Sequence, residues 1–146
     1  MIAAADVFIH QRKIMPFNIS HRSPEEIEDL NRLADEVVSI LSRAGLPAAM
    51  EVDAIDDHMG ALVNVDTVAD AIGGVYVRWR PHPELAAASR RAFEAGDYTH
   101  ADMAFDGAVA EAMAAAIMQI LQRAGLQVQD AAELNDYQPF EVRVHR

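Results

Sequence analysis

Arg78, Arg80, His82, Arg90 and Arg91, with Tyr76 and Trp79 among them, form the one basic island in an otherwise acidic chain. Val75, Val77 and Trp79 alternate with Tyr76, Arg78 and Arg80, the period of a half-buried strand, so the tyrosine and both arginines share one strand face. Pro83 then opens a helix whose first backbone donors favour an anion. Guanidinium groups recognise phosphate or carboxylate in paired geometry. Tyr76, Arg78, Arg80, His82, Arg90 and Arg91 are therefore the candidate anion-binding residues. Against that stands the plainer account that these arginines are solvated, or pair with the chain's own surplus of acids.

Two further clusters carry polar chemistry. Asp53, Asp56, Asp57 and His58 place three carboxylates and an imidazole close together, with Asp66 and Asp70 nearby. Hard divalent ions take such oxygen ligands. The spacing does not fit a twelve-residue calcium loop, and a solvated hairpin tip rich in aspartate explains it better. Asp97, His100 and Asp102 could act as an acid–base group. Thr99 as a helix cap with Asp102 in the first turn is the stronger account. No dinucleotide or phosphate-binding glycine loop, nucleophile elbow or paired-histidine zinc motif is present. The chain has no cysteine, so thiol catalysis, thiolate metal sites and disulfides are excluded. Catalytic residues, metal and cofactor are all expected to be none.

The remaining candidate is a surface. From about Asp102 to Ala124, Phe105, Val109, Met113, Ile117, Ile120 and Leu121 form a bulky stripe. Six alanines between Ala108 and Ala116 leave hardly any wet face. Such a helix is expected to be enclosed on more than one side. Its small residues allow close approach either of the chain's own sheet or of the same helix in a second copy across a two-fold axis. Ala110, Ala114 and Met118 are the candidate interface residues. The leading expectation is a non-enzymatic protein–protein interaction module acting as a homodimer. A small-molecule-binding protein or enzyme with an anionic ligand at Tyr76, Arg78 and Arg80 is the alternative. An acidic decoy for a nucleic-acid-binding partner ranks last.

The 146 residues suffice for one domain, and the formal charge of −11 opposes direct attraction to nucleic acid or anionic lipid. One lysine against eleven arginines reads as the codon bias of a GC-rich bacterial genome. The apolar run Ala108 to Leu121 is too short and too interrupted to span a bilayer. The first residues lack a cationic leader, so a soluble cytoplasmic protein is expected.

Residues 1–22 are expected to be an arm or edge strand, with short strand-like runs at 7–9 and 14–19 and Met15 as an alternative start. Residues 23–146 are expected to form a single domain. Ser23, Pro24 and Glu26 open the first helix as a capping box. Strands are expected at 49–55 and 61–66, joined as a hairpin, then at 75–80. Helices over 83–95 and 102–124 follow, with strands at 126–129 and 140–145. This order predicts an α+β two-layer sandwich, a mostly antiparallel sheet with helices on one face.

One stretch also occurs twice. Ser39–Leu46 and Gln119–Leu126 agree at six of eight positions. After a one-residue slip, Ile55–His58 lies over Leu134–Tyr137, and Val63 and Val65 lie over Val142 and Val144. Helix–strand–strand units at 23–66 and 102–145 would then be related by a pseudo-two-fold axis. Convergence on a common helix-ending sequence is the competing explanation.

Overall fold

The structure is a computed structural model and describes residues 20–70, 73–133 and 140–146. The strand-like runs at 7–9 and 14–19, and the Leu134–Tyr137 part of the repeat, lie outside those residues. Among the described residues, three helices and five strands follow in the order α1 (Pro24–Arg43), β1 (Ala48–Met50), β2 (Gly60–Asp66), β3 (Gly74–Arg80), α2 (Pro83–Glu94), α3 (Ala101–Arg123), β4 (Gln127–Asp130) and β5 (Val142–His145). They build an α+β fold around one sheet of order β1-β2-β3-β5-β4, antiparallel at three of its four pairings.

The helix starts follow from local chemistry. The Ser23 side chain accepts from the Glu26 N–H, and the Glu26 carboxylate accepts from the Ser23 N–H, the reciprocal capping box. Apolar residues at helical spacing then bury Leu33, Ala34, Val37 and Leu41 against the sheet. On the sheet side, Val77 is flanked by Val63 and Val142, and Val75 by Val65 and Val144. Ile117 and Leu121 of α3 complete this core. Replacing a fully buried leucine such as Leu41 by alanine costs about 2–5 kcal/mol in comparable cores.

Two expectations are corrected. The first concerns β1 and β2, which are parallel rather than a hairpin. A 3-10 turn at Glu51–Asp53 ends β1 after three residues, and the following loop carries the chain back to start β2 alongside it. Parallel neighbours usually need a crossover of a dozen or more residues. Here the 3-10 turn packs against β2, and Leu62 is buried on that side, away from the main core cluster.

The second correction concerns α3, which is covered shallowly: fewer of its residues are fully buried than in α1, although a smaller share of them is exposed. It buries Ile117 and Leu121, half the number of α1's buried residues, and only 11% of its most apolar eighteen-residue window is buried. At about 1.5 Å per residue α3 is about 34 Å long, whereas a seven-residue strand spans about 23 Å. No residue of α3 before Ala114 belongs to the core cluster, and α2 packs on α3. By length and composition α3 could cross a membrane, a longer apolar element than the 108–121 run.

The repeated sequence has matching local geometry. Leu46 donates its N–H to Leu41 O at 3.0 Å and Gly45 to Ser42 O at 3.0 Å; Leu126 and Gly125 repeat this with Leu121 O and Gln122 O at 3.1 and 3.0 Å. Gly45 and Gly125 have φ of 93° and 94°. Yet α2 ends the same way without the Arg-Ala-Gly-Leu sequence, with Asp97 donating to Ala92 O and Gly96 to Phe93 O. This is a general helix-ending arrangement. Beyond it the units diverge, since β1 runs parallel to β2 while β4 runs antiparallel to β5. β2 and β5 point the same way on either side of β3, so no two-fold axis normal to the sheet relates them. The repeat is not carried through the strands.

Nothing lies within 4 Å of a Cβ added at Gly45 or Gly125. Alanine at either is expected to cost the same small amount, about 1 kcal/mol, from the left-handed backbone alone. A Cβ at Gly60 would overlap the Pro47 carbonyl oxygen, which accepts the Ala61 N–H at 2.8 Å. In urea unfolding, Gly60→Ala should therefore lose clearly more stability than Gly45→Ala or Gly125→Ala. Equal losses would contradict this packing.

Candidate functional site

β3 alternates as its sequence requires. Val75 and Val77 face the helices, and Tyr76, Arg78 and Arg80 share the other side. Register adds neighbours to that side: Arg143 lies across from Tyr76, Leu62 from Arg78, and Gly60 from Arg80. Arg78 is not a free cation. Its Nη2 lies 2.5 Å from Glu51 Oε1, and the Glu141 carboxyl is close enough to feel its charge. Burial pushes the Tyr76 hydroxyl above its ordinary value, opposed by Arg143 and reinforced by Asp66, Glu141 and Asp70.

The other basic residues are not gathered there. His82 is the N-cap of α2, its Nδ1 accepting the Glu84 N–H at 3.1 Å. Arg90 and Arg91 are exposed on α2, which packs on α3. The structure thus brings together Tyr76, Arg78 and Arg80, with Arg78 engaged by an acid, and leaves Arg90 and Arg91 on another element.

The acidic clusters resolve into local roles. No three acidic or histidine side chains converge as a metal site among the described residues. Asp66 Oδ1 accepts the Val68 N–H at 3.0 Å, and Asp70 Oδ1 accepts the Gly73 N–H at 2.8 Å. The cap of α3 is His100 rather than Thr99. His100 Nδ1 accepts the Asp102 N–H at 3.1 Å, while Thr99 Oγ1 donates to Asp97 at 3.4 Å. On α3, Ala114 and Met118 are partly buried against the chain's own core, and Ala110 is half-buried. The exposed stripe lies one step around the helix, at Ala104, Phe105, Ala108, Ala112 and Ala115, with Glu111 its one charge.

The sequence reading missed a cavity of about 270 Å³ at the opposite end of β3 from α2. Arg22, Asp29, Leu30 and Leu33 line it from the start of α1, and Gly73, Gly74, Arg143, Val144, His145 and Arg146 from the strand ends. The available signal was the polar phase of β5, since Arg143 and His145 alternate with Val142 and Val144. Nothing in the sequence places Arg22 beside them.

Two outcomes follow from these contacts. Glu141 holds its proton to a higher pH folded than unfolded, chiefly through burial, with Arg78 opposing and Glu51 reinforcing the shift. Its contribution is fully favourable below about pH 4.3 and is lost as pH rises through the folded value. Glu141→Gln should raise stability at pH 7 relative to wild type and flatten the stability profile just above pH 4.3. An unchanged slope there would show that the carboxyl is not desolvated. At the cap, His100→Ala should cost about 1 kcal/mol and His100→Asn much less, because asparagine restores the acceptor. Equal losses in chemical denaturation would rule the cap out as the cause.

No protein-family model matches this chain, and no curated protein or solved structure is similar to it.

Proposed function

We propose that the protein is a non-enzymatic protein–protein interaction module that acts as a homodimer through its α2–α3 hairpin. One observation carries this reading: α3, the most apolar of the described helices, has only 11% of its most apolar window fully buried and presents an almost uncharged exposed stripe. Phe93, Tyr98 and Phe105 are 60%, 66% and 60% exposed around that hairpin, and Phe93 and Tyr98 pack edge to face at 5.7 Å. A standard interface takes about 800 Å² from each partner. Aromatic side chains bury about 150–250 Å² each, so the exposed 60–66% of these three would supply about a third to a half of it.

A second copy of the same hairpin suits this surface better than a charged partner. The outer stripe carries a single charge, Glu111, in a chain of net charge −11, so two copies meeting there oppose one pair of like charges and no more. Alanines at Ala104, Ala108, Ala112 and Ala115 permit close helix approach across a two-fold axis. The anionic-ligand alternative at Tyr76, Arg78 and Arg80 is weakened by the Glu51 ion pair. The acidic-decoy reading rests on charge alone.

Light scattering at micromolar concentration should give twice the chain mass. Ala112→Arg, which sets a charge in the middle of the stripe, should raise the dimer dissociation constant at least tenfold with helix content unchanged. Arg80→Gln, on the far side of the sheet, should leave it unaltered. A monomeric wild type at these concentrations would overturn the proposal.

A further inference from the structure

The cavity between the start of α1 and the ends of β3 and β5 carries an inference independent of the dimer. Its wall combines two arginines, each with its Nε unpartnered, with apolar surface. Arg143 Nη2 donates to Gly73 O at 2.7 Å, which holds the guanidinium across the strand end and leaves its Nε buried without an acceptor. Arg22 Nε, on the same cavity, is also buried and unpartnered. Leaving such a donor unsatisfied costs about 1–3 kcal/mol, more for a charged group. An oxyanion drawn to both guanidinium groups would offset part of that cost.

The nearby acids have partners of their own: Asp70 accepts the Gly73 N–H at 2.8 Å and Asp66 the Val68 N–H at 3.0 Å. Asp29, the acid on the wall, lies 3.5 Å from the Arg32 guanidinium, and Arg146 is tied to Glu36 at 2.8 Å. Neither contact reaches Arg22 or Arg143. The rest of the wall is apolar: Leu30 and Leu33 of α1 and Val144 of β5. At about 270 Å³ the space falls just under the range of about 300–1,000 Å³ typical of pockets for drug-sized ligands. It suits a short molecule.

We infer that this cavity binds a small organic monocarboxylate, its carboxylate held by Arg22 and Arg143 and its hydrocarbon body lying against Leu30 and Leu33. Phosphate would satisfy the same guanidinium groups but would leave the leucine wall empty. The carboxylate is therefore the better fit to the whole cavity.

The test uses the full chain and two probes, sodium hexanoate and inorganic phosphate, against sodium chloride at matched ionic strength. Two-dimensional NMR should show saturable shifts of the Arg22 and Arg143 Nε–H signals and of the Gly73 and Gly74 amides with hexanoate. Hexanoate should bind at least tenfold more tightly than phosphate. Arg22→Gln should weaken hexanoate binding at least tenfold, as should Arg143→Gln if it folds despite losing the Gly73 contact. Leu30→Asp should weaken it similarly, whereas Arg90→Gln on the exposed side of α2 should have no effect. Shifts that fail to saturate, that chloride reproduces, or that survive Arg22→Gln would overturn the site. Tighter binding of phosphate than of hexanoate would overturn the carboxylate assignment.

Discussion

The valine ladder across the middle of the sheet is the constraint on which the rest depends. Val63, Val77 and Val142 lie side by side in one row, and Val65, Val75 and Val144 in the next. Branched side chains at adjacent cross-strand positions pack well on a pleated surface. Because side chains alternate strictly, fixing these six on the helix side sends Tyr76, Arg78 and Arg143 to the other. A slip of one residue would turn Arg78 and Arg80 of β3, or Arg143 and His145 of β5, inward beneath α1 and α3. The register of the core and the placement of the polar groups on β3 and β5 are therefore the same fact.

Much of this was legible in the chain. The capping box at Ser23, the glycine stops at Gly45, Gly96 and Gly125, and the alternation of β3 set the boundaries of the three helices and of β3 to within a residue or two, whereas the strand expected over 49–55 ends at Met50. The parallel pairing of β1 with β2 was not legible. A polar, glycine-ended loop after a short apolar run reads as a hairpin whichever way the chain returns, and only the Glu51–Asp53 turn against β2 decides the direction. The cavity was hidden for a different reason. Its charged members, Arg22 and Arg143, are far apart in sequence and meet only because β5 inserts next to β3 and α1 begins above their shared end.

The burial of α3 was misjudged for a reason that bears on how such helices are read. A helix without a polar face suggests enclosure, because exposed bulky apolar residues usually need a partner. Alanine weakens that inference, since it is a strong helix former with little surface to hide. Ala104, Ala108, Ala112 and Ala115 can face water at small cost, so the sheet needs to cover only Ile117 and Leu121. The large exposed aromatics nearby are what alanine cannot explain, and the case for a partner rests on them.

The two surfaces that ask for an occupant lie at opposite ends of β3. The hairpin leaves from its last residue through Pro81 to Pro83, and the arginine cavity sits at its first, some 20 Å away at the rise of an extended strand. β3 pairs with β2 along all seven residues and with β5 at its middle, so it is among the most firmly held elements in the molecule. Communication between distant sites needs an element with two comparable arrangements that both sites bias. A strand locked on both edges by the valine ladder is a poor candidate for one. Occupancy of the cavity and association of the hairpin are therefore expected to be energetically independent, with the sheet serving as a spacer that keeps the two apart.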